Sequence, residues 1–120
     1  MPKRAKSQRK KERLTEVELF WIEDYKVLVG RNSKENQKLL EIAKANDLWM
    51  HIRDVPSSHV IIRTDKQNLP DSVLKAAAKL CVDFSVKNPG DYEVDYTKRK
   101  FVKVQEGSNV LYNKYDTISV

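Results

Sequence analysis

The sequence predicts a single α+β domain, a largely antiparallel or mixed β-sheet with two main helices, preceded by a basic tail. Three observations carry this. The 120 residues are enough for one hydrophobic core and not for two. Apolar residues alternate with period two in several short runs and recur at helical spacing in two longer ones. These runs follow the order ββ-α-ββ-α-ββββ, which lays helices against a sheet made mostly of hairpins.

The elements follow in chain order. Residues 1–15 form the tail, and residues 16–120 the domain. Lys3, Arg4, Lys6, Arg9, Lys10, Lys11 and Arg13 stand against Glu12 alone, so the first thirteen residues hold the whole net charge of +6. The remaining sixteen basic and sixteen acidic side chains cancel. With no periodic apolar face, the tail is expected to be disordered or the end of a partner-dependent helix. Its charge is a handle for phosphates or simply a solvated leader. In EVELFWIEDYKVLVG (16–30), apolar residues alternate around Glu23-Asp24, as in a hairpin. Asn32 can cap the first helix and Glu35 can reach back to it. Leu39, Leu40, Ile42 and Ala43 supply that helix's apolar stripe.

Leu48–Arg53 and His59–Arg63 read as paired strands around the loop 54–58. Pro70 opens the second helix, on which Val73, Ala77, Leu80, Cys81 and Phe84 share a face. Asn88-Pro89-Gly90 ends it. Four strands close the chain, at Tyr92–Tyr96, Phe101–Val104, Val110–Tyr112 and Thr117–Val120.

Composition excludes several function classes. No run approaches the roughly 18 apolar residues of a membrane span. The basic start lacks the apolar stretch of a secretory signal. Cys81 is the one cysteine, so a disulfide framework is excluded and a reducing, cytoplasmic setting is expected.

The informative segment is DLWMHIRDVPSSHVIIR (47–63). With 54–58 as the loop, Arg53 would pair with His59, His51 with Ile61 and Trp49 with Arg63. Leu48, Met50, Ile52, Val60 and Ile62 would then face the core. Trp49, His51, Arg53, His59, Ile61 and Arg63 would share the opposite, presenting face. An aromatic ring beside imidazoles and guanidinium groups suits a nucleotide, whose base stacks while cations and donors take phosphate and sugar. Ser57 and Ser58 add hydroxyls in the loop. A second basic surface is Lys98, Arg99 and Lys100 with Lys103, flanked by Tyr96 and Phe101. Arg31 and Asn32 could set a phosphate at the first helix's N-terminus.

Two other functions compete with RNA binding. Trp49 and its neighbours could dock on a protein, since Trp and Arg also dominate protein hot spots. A metal-dependent nuclease could use His51, His59, Asp47 and Asp54, but the two aspartates lie at opposite ends of the hairpin and a metal wants three or four convergent ligands. Neither a metal nor another cofactor is expected, and the chain is read as non-enzymatic.

VLVGRNSKEN (27–36), the 47–63 segment, AAA within 70–86 and a closing DYT…V…V.Y…TI.V pattern (95–120) resemble the NFACT-R domain. This is the C-terminal domain of the family that includes bacterial RqcH, eukaryotic NEMF and proteins long labelled fibronectin-binding. The resemblance implies RNA binding in ribosome-associated quality control. Its partners would be tRNA and the large ribosomal subunit, in support of C-terminal (alanine) tailing of stalled chains, with no membrane role and a monomeric state. Gly30, Arg31, Asn32 and Asn36 match one family element. Asp47, Trp49, His51, Arg53, Asp54, Pro56, Ser58 and His59 match the central signature. Gly30, Asp47, Asp54 and Pro56 are expected to be structural. Ser57, Arg63, Lys98, Arg99 and Lys100 complete the candidate RNA contacts. Two departures stand out. Ser57 replaces a frequent glycine, and a basic Gly/Pro-rich segment is reduced to Val104–Asn109. Family members continue upstream into a coiled coil and further domains, which would be further partners. The leader is either the end of such a helix or the start of a stand-alone domain.

Overall fold

The computed structural model describes residues 17–120, so the expected tail lies outside the described residues. The strands are β1 (Glu18–Ile22), β2 (Tyr25–Val29), β3 (Leu48–Ile52), β4 (Val60–Ile62), β5 (Glu93–Lys98), β6 (Lys103–Val104), β7 (Val110–Leu111) and β8 (Asp116–Ser119). The helices are α1 (Ser33–Ile42) and α2 (Asp71–Ser85). Six strands form one antiparallel sheet in the order β1-β2-β4-β3-β5-β8, and β6 and β7 make a separate ribbon. The α+β class and the element order expected from the sequence are both present.

Local chemistry accounts for the boundaries. Glu23 adopts a positive φ of 54° in the two-residue turn between β1 and β2. The Asn32 side chain caps α1 by accepting from the Glu35 backbone N–H at 2.9 Å. Glu35 reaches back as expected, but to the Arg31 N–H at 2.9 Å, one residue earlier than a capping box requires. Pro70 precedes α2 without a side-chain cap.

The sheet is covered on both faces. On one, Val27, Val29, Met50, Ile52, Val60, Ile62 and Val94 pack against Val73, Leu74, Ala77, Ala78 and Cys81 of α2. The two alanines let that helix lie close to the sheet. On the other face, Leu28, Trp49 and Ile61 pack against Leu39 and Leu40 of α1 and against Val102. β4 is therefore buried on both sides, which explains the unbroken run Val60-Ile61-Ile62.

Two expectations fail here. The β3–β4 register pairs Trp49 with Ile61 and Met50 with Val60, not Trp49 with Arg63. The connection runs over residues 53–59 because Asp54 takes a positive φ of 64° and Ser57 Oγ folds back to accept from the Ile52 N–H at 3.1 Å. The strand expected at Phe101–Val104 is instead a 3₁₀ turn, Arg99–Phe101, followed by the short β6. Backbone bonds from Arg99 N to Asp47 O and from Lys100 N to Ala45 O divert the chain there.

Candidate nucleic-acid interface

Strand alternation sets two rows of side chains on the α1 face of the sheet. One row is apolar: Leu28, Ile61 and Trp49. The next is polar: His59, His51, Asp95 and Thr117, with His51 opposite Asp95 and Asp95 opposite Thr117 in the register. α1 covers the first row, and the His59–His51 end of the second borders a cleft of about 360 Å³. The start of α1, the loop through Pro56–His59, the end of α2 at Phe84-Ser85 and the turn at Ser108-Asn109 enclose it.

The loop is held to both helices. Gly30 N–H donates to His59 O at 3.0 Å. A Cβ on Gly30 would sit 2.2 Å from Asn36 Oδ1, so only glycine allows this approach. Buried Asn36 accepts from the His59 N–H at 2.9 Å and donates Nδ2 to Ser57 O at 3.3 Å. Ser58 N–H donates to Ser85 Oγ at 2.8 Å, and Ser58 Oγ donates to Phe84 O at 3.3 Å. Cys81 Sγ donates to Ser58 O, and burial raises its thiol pKa to about 11, so it is a packing residue and not a nucleophile.

The expected presenting set divides. Trp49 is fully buried, so its indole is no stacking platform. It stacks on His51 (5.6 Å between centroids), meets Tyr112 edge-on at 4.8 Å and donates Nε1–H to His59 Nδ1 at 3.2 Å. His59 is only 2% exposed, and burial with neighbouring His51 lowers its pKa to about 3. His51 is half-buried; burial lowers its pKa too, opposed by the Ile52 carbonyl and the Asp95 carboxylate. Both rings are therefore neutral at physiological pH.

Arg53 is committed to the polar row. Its Nε and Nη2 donate to Asp95 Oδ1 at 3.2 and 3.0 Å, and Nη2 also donates to Thr117 Oγ1 at 2.6 Å. Asp95, 1% exposed, also accepts from Tyr112 O–H at 2.7 Å and Thr117 O–H at 2.8 Å. Burial and the adjacent Asp95 carboxylate push the Tyr112 pKa upward. Asp95, Tyr112 and Thr117 were missed as site residues in the sequence. The available signal was an aspartate between Val94 and Tyr96 in the strand EVDYTK.

These positions coincide with a known family. The model for the NFACT protein RNA binding domain matches residues 17–113. The chain belongs to the NFACT-R family. Among relatives, it is 32% identical to the Rqc2 homolog RqcH of Bacillus subtilis over 97% of this chain, and 34% identical to that of Streptococcus suis over 78%. It spans about a fifth of the length of either relative. The C-terminal structure of the fibronectin/fibrinogen-binding protein from Streptococcus suis superposes with a TM-score of 0.78 at 32% identity. That superposition covers 87% of this chain and 44% of the other.

In this NFACT-R domain the remaining candidates sit away from the cleft's floor. Asp47, 1% exposed, accepts from the Lys44 and Thr64 N–H groups at 2.8 and 3.1 Å and lies 3.6 Å from Arg63 Nε, at the far end of the hairpin. Arg31 pairs with Glu18 at 2.8 Å and Glu35 at 2.7 Å. Asn32 and Pro56 line the cleft's rim, and Asp54 turns the loop. Arg99 points inward, donating to Leu40 O at 3.1 Å and Val102 O at 2.9 Å. Lys98 Nζ donates to Asn46 O and Lys66 O. Lys100 and Lys114 both lean over the exposed Phe101 ring, at 5.5 and 5.0 Å. A larger cleft of about 580 Å³ adjoins this lysine edge but holds neither histidine. Among the described residues no group of three or more His, Cys, Asp or Glu side chains is placed to hold a metal. No described helix is long and apolar enough to cross a membrane.

Proposed function

We propose that this NFACT-R domain acts in ribosome-associated quality control in the cytoplasm. It contacts tRNA, rRNA of the obstructed large ribosomal subunit, or both, in support of C-terminal (alanine) tailing of stalled chains. Family membership over residues 17–113, with RqcH relatives that extend far beyond this length, carries the reading. The geometry supports a division of labour. The cleft bounded by His51, Ser57, His59 and Asn109 offers directional hydrogen bonding, while Lys100 and Lys114 beside Phe101 offer charge for the phosphate backbone. Buried Trp49 gives the hairpin no aromatic anchor for a protein partner.

Filter binding of the full chain to tRNA and to isolated large subunits tests this. Saturable binding that weakens as salt rises is the expected result. Failure to bind either RNA across the same salt range would contradict it.

A further inference from the structure

The cleft's hydrogen-bonding pattern is fixed by groups outside it. An indole N–H can only donate, so Trp49 Nε1 makes His59 Nδ1 the acceptor and leaves the proton of that neutral ring on Nε2. A backbone carbonyl can only accept, so His51 Nδ1 carries the proton it shares with Ile52 O, and His51 Nε2 keeps a bare lone pair. The two rings meet edge to face with centroids 5.2 Å apart. Neither Nε2 has a partner among the described residues. No buried side-chain nitrogen or oxygen among the described residues lacks a partner, so neither Nε2 is fully buried, and both residues line the cleft. One fixed donor and one fixed acceptor therefore lie side by side at its floor.

Apart from Arg31, the rest of the lining is uncharged. Serine, asparagine and proline side chains and Phe84 surround the two rings. The single charged lining residue, Arg31, is ion-paired to two glutamates. A phosphate would meet no cation at the floor, and its oxygens would face the lone pair on His51. A nucleobase edge differs, because each of the four bases carries a donor and an acceptor next to each other. Sequence-dependent RNA recognition uses unpaired bases of this kind. The cleft, at about 360 Å³, lies within the usual small-ligand range of about 300–1,000 Å³.

We propose that this cleft receives an unpaired nucleobase of RNA, with His59 Nε2–H donating to the base edge and His51 Nε2 accepting from it, while phosphates are held elsewhere. This rests on the RNA-binding reading above and specifies which part of the nucleotide enters.

The test is nitrogen-15 NMR of the imidazoles in the full chain, titrated separately with uncharged ribonucleosides, with inorganic phosphate and with a short single-stranded RNA. At least one nucleoside should shift both Nε2 resonances saturably, and phosphate alone should not. His51→Phe keeps an aromatic ring on Trp49 and removes the acceptor. It should weaken single-stranded RNA binding by about three- to tenfold, the worth of one hydrogen bond, and leave the slope of affinity against salt unchanged because no phosphate contact is lost. If phosphate alone moves the imidazoles, or if RNA binds while no nucleoside does, the base-in-cleft proposal is overturned and the RNA-binding reading survives. If the chain binds no RNA at all, both fall.

Discussion

The two faces of the six-stranded sheet are built from the same strands and serve different ends. The α2 face is apolar over the central strands, because the fifteen residues of α2 cover them and Ala77 and Ala78 bring that helix close. The α1 face receives a helix of ten residues. That helix covers the row Leu28–Ile61–Trp49 and leaves the row His59–His51–Asp95–Thr117 to be satisfied by hydrogen bonds. A shorter cover converts half of a core face into a polar network with a cleft at its edge. Scaffold and candidate site are thus alternate residues of single strands, as with Met50, Trp49 and His51 on β3.

Substitutions can break this contrast. The largest effect is expected for Trp49→Ala, which empties the apolar row and should destabilise the fold by about 3–5 kcal/mol in denaturant unfolding. RNA binding by the folded fraction should fall as well, because His59 loses the indole N–H that fixes its Nε2 proton. Asp95→Ala should cost about 1–3 kcal/mol, the cost of stranding the Tyr112 O–H, while the exposed Arg53 regains water.

The pH dependence should be next in size. In the unfolded chain both histidines bind a proton below about pH 6.5, while burial lowers both folded-state values. The unfolded state therefore binds more protons as pH falls, and stability that is complete above 6.5 is lost toward the folded value of about 3 for His59. The slope should approach about 1.4 kcal/mol per pH unit for His59, with a contribution of the same sign from His51. Urea unfolding between neutral pH and about pH 5 measures it, and His59→Asn should flatten it. The smallest effect on stability, under about 0.5 kcal/mol, is expected for Lys100→Ala with Lys114→Ala. The same pair should lower the salt slope of RNA binding by about one for each lysine that contacts a phosphate.

Much of the fold could be read directly from residue pattern. The Glu23-Asp24 turn, the Asn32 cap and both helical stripes are local signals, and local chemistry decided them. The site was only half legible. Trp49, His51, Arg53 and His59 do share a face, because strand alternation survives the two-residue shift in pairing. Their exposure was misjudged because it depends on what covers that face. Leu39 and Leu40 of α1 needed a surface, and Ile61 beside Trp49 was its mark. Arg53 and Arg99 looked like free cations. Their partners, Asp95 and the carbonyls of Leu40 and Val102, are brought to them by tertiary structure.

The central claim is that the polar half of the α1 face, and not the α2 face, meets RNA. Photo-crosslinking of the full chain to tRNA and to isolated large subunits, with peptide mapping, tests it most directly. Crosslinks are expected within residues 51–59 and at Ser108-Asn109. Crosslinks confined to the outer surface of α2, with none in those segments, would contradict the account.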